Sequence, residues 1–226
     1  MKSKVPFPLW KGIILPIFLF LLLTPWMSLL DIKVSAYFYN HHRFLSNPFW
    51  DFIFVYGIWP AWILIFFAFI GLLISFKKNY DYFRKPCLYL ILTLAIGSGL
   101  FVHLVLKEHW GRPRPRQVIE FGGEQTFKPY YVYNGKNINQ PSKSFSCGHC
   151  SVGFFFFALA LFGKYAHSRL IFWIGLGLAL ILGILLSLAR IAQGGHFFSD
   201  TLASALIMWL TAWILSYFLL FKNRIP

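Results

Sequence analysis

Six apolar runs, at about residues 12–30, 52–76, 87–106, 150–163, 170–189 and 201–221, constrain this chain more than any other feature. The hydrocarbon core of a bilayer is about 30 Å thick and takes about 20 helical residues to cross. Within it every backbone group must be satisfied inside the chain, so runs of this length fold as spanning helices. The fourth run is short and reaches spanning length only if its helix continues through Tyr165 and His167. Composition agrees: with 58% hydrophobic and 12% charged residues there is too little polar surface to cover a water-soluble globule. The expected architecture is all-α, a polytopic membrane protein of six transmembrane helices in one domain, residues 1–226.

The first run follows Lys2, Lys4 and Lys11, and no convincing small-x-small cleavage site follows it, so it reads as a retained span. Trp10, Trp26, Trp50, Trp59 and Trp110 fall near predicted span ends, where an indole prefers the interface. Gly175, Gly177 and Gly183 fall within a span and read as helix-packing residues rather than a nucleotide loop.

The net charge of +14 is scattered over the connections and forms no basic tract of the kind that grips nucleic acid. Topology accounts for much of it. With a cytoplasmic N-terminus, the inner segments hold Lys2, Lys4, Lys11, then Lys77, Lys78, Arg84, Lys85, then Lys164, Arg169, then Lys222, Arg224. That is the positive-inside pattern, with both termini cytoplasmic. The segment 107–143 breaks it with seven basic residues on the outer side, and Arg190 adds another. Cations placed against the topology rule point to an anionic ligand.

Three clusters carry chemistry. Lys107-Glu-His-Trp-Gly-Arg112-Pro-Arg114-Pro-Arg116 begins where the third span ends, Ser146-Cys147-Gly148-His149 opens the fourth, and Arg190-x5-His196-x3-Asp200 bridges the fifth and sixth. In a six-span topology all three reach the same membrane face. A phosphoryl-transfer transition state spreads charge over three oxygens and needs positioned cations and backbone donors. Lys107, Arg114 and Arg190 can supply the cations, and the amides around Cys147 and Gly148 open a helix, where an anion is favoured. His196 and Asp200 can form a nucleophile with its orienting carboxylate, leaving His149 as general acid. His109, Arg112 and Arg116 are evenly balanced between a site role and a solvated or head-group contact.

These clusters resemble the type-2 phosphatidate phosphatase superfamily, with its Lys-x6-Arg-Pro, Pro-Ser-Gly-His and Ser-Arg-x5-His-x3-Asp motifs. Lys107 with Arg114-Pro115 matches the first, Gly148-His149 the second, and Arg190, His196 and Asp200 the third. The resemblance implies that Lys107, Arg114 and Arg190 bind phosphate with Cys147 and Gly148, that His149 is the acid, and that His196 is the nucleophile with Asp200 its partner. Ser146 and Cys147 stand where the family has Pro-Ser, and Ala189 where it has Ser, so one hydroxyl contact to phosphate is lost at Cys147. The stretches around these motifs look most like the bacterial lipid A 4′-phosphatases of the inner membrane, with the site at the periplasmic face. Undecaprenyl diphosphate, phosphatidylglycerol phosphate and phosphatidate stay open as substrates, as does transfer to a second lipid. A non-catalytic lipid-binding or transport protein would account for the spans but not for the spaced His, Arg and Asp.

The expected partners are a membrane lipid phosphate and the bilayer, with no nucleic acid and no obligatory protein partner. Neither cofactor nor metal is expected, because fixed cations take the part a metal ion plays elsewhere. Cys147-Gly148-His149-Cys150 has the spacing of a dithiol redox centre but lacks the βαβ setting of one, and it offers only three zinc ligands. Facing an oxidising compartment, Cys147 and Cys150 could close a disulfide, and this would distort the helix start. Head-group selection is expected from the loop 117–143.

Overall fold

The computed structural model describes residues 9–45, 47–135 and 142–222, so Lys2, Lys4 and Arg224 of the charge pattern lie outside the described residues. Five helical stretches are long and apolar enough to cross a membrane: Leu9–Tyr37, Pro48–Ile74, Asp81–Lys107, Arg169–Ala192 and Phe198–Phe221. The chain is an all-α, multi-pass membrane protein. Helix α1 (Leu9–Tyr37) leads through a two-residue-per-strand hairpin, β1 (Tyr39–Asn40) and β2 (Arg43–Phe44), into α2 (Pro48–Tyr56) and α3 (Trp59–Ile74). Helix α4 (Arg84–Thr93) continues without a break as a π-helical segment, Leu94–Lys107.

The fourth expected span departs from a single helix. It is split into α5 (Gly148–Phe154) and α6 (Phe157–Tyr165), packed against α7 (Arg169–Ala192) and α8 (Phe198–Ser216). Its residues from Gly148 to Phe156 are buried apart from His149. A helix enclosed by protein needs no unbroken apolar length, because its neighbours rather than lipid receive its side chains. Beside the five long apolar stretches, the fourth expected span is thus a broken, buried pair of short helices.

Small residues set how closely these helices approach. A Cβ on Gly175 would lie 2.3 Å from the backbone nitrogen of Ala160, and one on Gly183 would enter the Phe154 ring at 2.4 Å. Gly177 corrects the sequence reading, since a Cβ there would meet nothing within 4 Å. Trp10, Trp26 and Trp59 are exposed as a lipid belt requires. Trp110 is not in that belt: it stacks beside Phe145 and donates its indole N–H to the Tyr130 carbonyl at 2.8 Å. Trp50 also turns inward, edge-on to Phe38.

Gly175→Ala should therefore cost about 1–3 kcal/mol through overpacking, whereas Gly177→Ala should be neutral or stabilising by up to about 1 kcal/mol through helix propensity. Unfolding midpoints of the two variants in the same detergent, compared with the parent protein, check the contrast.

Candidate active site

The described parts of the connection after the third span, residues 108–135 and 142–147, fold around one buried side chain. Arg112 is fully buried, and its guanidinium donates from Nη2 to Asp31 Oδ2 at 2.7 Å, from Nη1 to Ser199 Oγ at 2.8 Å, and from Nε to the Lys128 carbonyl at 2.9 Å. Nη1 also donates to Asp200 Oδ1. Asp31, in the last turns of α1, receives the Ser199 backbone N–H and hydroxyl as well, each at 2.7 Å. Arg112 thus ties α1 to the start of α8, and the Phe197 ring lies 4.6 Å from its guanidinium carbon. The even balance read for Arg112 from sequence resolves to a buried structural ion pair. Arg116 is exposed, and His109 turns back onto the Leu104 and Val105 carbonyls.

The same network reaches His196. Asp200 Oδ2 accepts from Ser144 Oγ at 2.5 Å and from the Phe197 backbone N–H at 2.8 Å, and lies 3.7 Å from His196 Nδ1. The closer partner of Nδ1 is the Ser144 carbonyl at 2.6 Å. A carbonyl only accepts, so Nδ1 carries the proton and Nε2 keeps its lone pair. Tautomer selection therefore belongs to Ser144, a residue the sequence reading passed over, while the Asp200 charge stands behind it. Burial holds the His196 pKa down to about 4, against the pull of Asp200, and the charges of Arg190 and Arg114 act in the same sense as burial. The imidazole is neutral at pH 7.

Two of the three predicted cations reach this histidine. Arg114 and Arg190 act on His196 electrostatically, and Lys107 lies within range of both. None of the three forms an ion pair among the described residues. Burial and then Arg116 lower the pKa of Arg114, with Asp200 opposing, although a guanidinium stays charged at pH 7. Arg190 packs its guanidinium over Gly195, where a Cβ would lie 2.4 Å from Nη2, and donates to Gln193 Oε1 at 2.7 Å. Among the described residues its buried Nε has no hydrogen-bond partner, and neither has the buried Ser146 hydroxyl. Phe54 of α2 braces this group, 4.7 Å from the Arg190 guanidinium and stacked on the His149 ring at 4.4 Å. Phe54 is a neighbour that no motif announced.

Cys147 caps α5, accepting the Cys150 N–H on its sulfur at 3.2 Å, and forms a disulfide with Cys150. With this disulfide in place the helix starts at Gly148. Helix α5 has only seven residues, so the cations rather than a helix dipole dominate the field at the site. No group of three or more His, Cys, Asp or Glu side chains suited to a metal occurs among the described residues.

Arg112→Met leaves two buried carboxylates without their counter-ion and should cost about 3–5 kcal/mol, the penalty for breaking a buried pair from one side. Adding Asp31→Asn and Asp200→Asn should recover part of it, as read by unfolding midpoints in detergent. For His196, nitrogen NMR of histidine-labelled protein should find one imidazole, identified by its loss in His196→Asn, neutral until about pH 4. Between pH 6.5 and 4 the unfolded chain takes up a proton there that the folded chain refuses, so stability should fall as pH drops through that window.

The PAP2 superfamily profile matches residues 88–224, which contain all three motif clusters. A lipid A 4′-phosphatase of Francisella tularensis subsp. novicida is 34% identical over 206 residues, covering 86% of this chain and 88% of that protein. Lipid A 4′-phosphatases of Rhizobium leguminosarum and Rhizobium etli are 39% and 36% identical over 108 residues, 48% of this chain and 44% and 40% of theirs. No solved structure matches the chain. A profile match over more than half of the sequence, with a relative aligned along nearly all of it, makes this chain a member of the PAP2 superfamily.

Proposed function

We propose that this protein is a membrane phosphatase that removes a phosphate from a lipid head group, the 4′-phosphate of lipid A, through a phosphohistidine intermediate. The observation that carries the reading is a neutral histidine with a fixed tautomer, His196, within electrostatic reach of Arg114 and Arg190, with Lys107 near both and none of the three cations in an ion pair among the described residues. Such a pocket is incomplete without an anion, and the unpartnered Nε of Arg190 supports phosphate as that anion. The relatives named lipid A 4′-phosphatase favour lipid A over the other lipid phosphates.

In this reading His196 Nε2 attacks phosphorus and the P–O bond to the sugar breaks. As the imidazole becomes a cationic phospho-imidazole, its Nδ1–H stays on the Ser144 carbonyl and the Asp200 carboxylate balances the new charge. Lys107, Arg114 and Arg190 hold the equatorial oxygens, with the Cys147 and Gly148 amides as further donors. Burial and then Arg190 hold the His149 pKa down to about 4, so in this reading the ring takes up a proton as the anionic phosphate arrives, gives it to the leaving alkoxide, and then takes one from the water that frees phosphate. The catalytic unit is the whole chain as one domain. The positive-inside pattern supports a bacterial inner-membrane protein with cytoplasmic termini and the site at the periplasmic face.

His196→Asn should abolish release of phosphate while the protein stays folded in the membrane, because it removes the proposed nucleophile, whose Nδ1 is anchored on the Ser144 carbonyl beside Arg114 and Arg190. Mass spectrometry of membrane lipids with and without the protein should show lipid A lighter by one phosphate at the 4′ position only when His196 is intact. An unchanged lipid A with dephosphorylation of another lipid would move the substrate and keep the chemistry.

A further inference from the structure

Helix α2 brings two side chains to bear on Arg190. Asp51 and Phe54 stand three positions apart and so share one face of the helix. Phe54 lies against the Arg190 guanidinium, and Asp51 reaches the same arginine at one remove. Arg190 Nη1 donates to Gln193 Oε1 at 2.7 Å, and Gln193 Nε2 donates to Asp51 Oδ1 at 2.9 Å. A guanidinium only donates and a carboxylate only accepts, so this is the one amide orientation that serves both partners. Asp51 thereby decides which end of the Gln193 amide Arg190 meets.

The nitrogens left over are as informative. A guanidinium offers an oxyanion two bidentate edges, Nη1 with Nη2 and Nε with Nη2. Gln193 occupies Nη1 and closes the first. On the second edge, Nε is buried without a partner, a state shared among the described residues only by the Ser35 and Ser146 hydroxyls. Nη2 lies over Gly195, where the absence of a Cβ makes room for it. A buried N–H in this position is costly unless an acceptor meets it. The residue type at 193 matters as well. An amide gives Arg190 an acceptor without a charge, and Arg190 forms no ion pair among the described residues. A glutamate there would neutralise Arg190 and stand against Asp51 as a like charge.

We propose that Gln193 and Asp51 are positioning residues, which together aim the Nε and Nη2 edge of Arg190 at the phosphate and leave the arginine's charge free for that anion. The inference rests on the lipid phosphatase reading and deepens it, by tracing one wall of the phosphate site to a relay that begins on α2. Asp51 and Gln193 are 142 residues apart in the chain, so no motif spacing joins them. Asp51 is exposed, and its replacement leaves the packed core untouched.

The full chain, labelled with nitrogen-15 arginine, would be followed by NMR in detergent micelles, with the Arg190 signals identified by their loss in Arg190→Lys. A fixed guanidinium gives separate Nη1 and Nη2 signals, and a rotating one gives their average. Separate signals are expected in the parent protein and in Asp51→Asn, whose Oδ1 still accepts from Gln193, and averaged signals in Asp51→Ala and Gln193→Ala. Inorganic phosphate should then shift the Arg190 Nε signal of the parent. Its Kd should be about tenfold higher in both alanine variants and in Gln193→Glu, and within about twofold of the parent in Asp51→Asn. Averaged Nη signals in the parent, or separate ones that survive both alanine changes, overturn the relay. An unchanged Kd in the alanine variants overturns its part in anion binding, and an unchanged Kd in Gln193→Glu overturns the argument from charge. If phosphate leaves the Nε signal of the parent unmoved, the anion site fails, while the relay stands or falls on the Nη signals alone. A parent that binds phosphate but releases none from a lipid phosphate would overturn the phosphatase reading and keep the relay.

Discussion

Arg112 carries a positive charge into a place without water, and it stays there because Asp31 and Asp200 meet it from two different helices. Each partner alone would be an unaffordable buried ion; together they leave almost no donor or acceptor unused. The Arg112 Nε–H goes to the Lys128 carbonyl, which fixes the connecting loop on the same residue. Ser144 takes its place in that loop by donating its backbone N–H to the Arg112 carbonyl at 3.0 Å, and its own carbonyl then holds His196. The chain of dependence runs from a buried ion pair, through one loop, to the tautomer of the His196 imidazole.

The electrostatics divide into two parts that do different work. Asp31, Arg112 and Asp200 balance within the protein and serve rigidity. Lys107, Arg114 and Arg190 form no ion pair among the described residues, and Arg190 is held by packing over Gly195 and against Phe54. Mutual repulsion among them is tolerated because other parts of the fold fix their positions. A site arranged in this way has little reorganisation left to do when an anion arrives.

The spans and the three clusters were legible because length, apolarity and the spacing of His, Arg and Asp survive translation into any fold of this type. Arg112 was not, because a cation in a basic stretch looks the same whether it faces a head group or two buried acids. Asp31 offered the one available hint, a lone carboxylate at the end of an apolar run, a position costly enough to require a partner. The Ser144 carbonyl was beyond reach, since a backbone oxygen has no signature in the residue type that carries it. The break between α5 and α6 escaped for a related reason: a buried helix takes its continuity from its neighbours, and Phe154 to Phe157 read as one apolar run.

The π-helical course of Leu94–Lys107 makes residue number as important there as residue identity. In this winding each turn takes more residues than in an α-helix, so the register of everything after it depends on the extra ones being present. Loss of a single residue anywhere between Leu94 and Lys107 could be absorbed by a return to α-helical winding, with no cavity and no broken apolar pattern. It would rotate one end of the segment against the other by about 100°, turning Lys107 away from Arg114 and Arg190 or His103 away from Gly148. Substitutions along this stretch leave the register intact, whereas deletions and insertions change which side chains face the site.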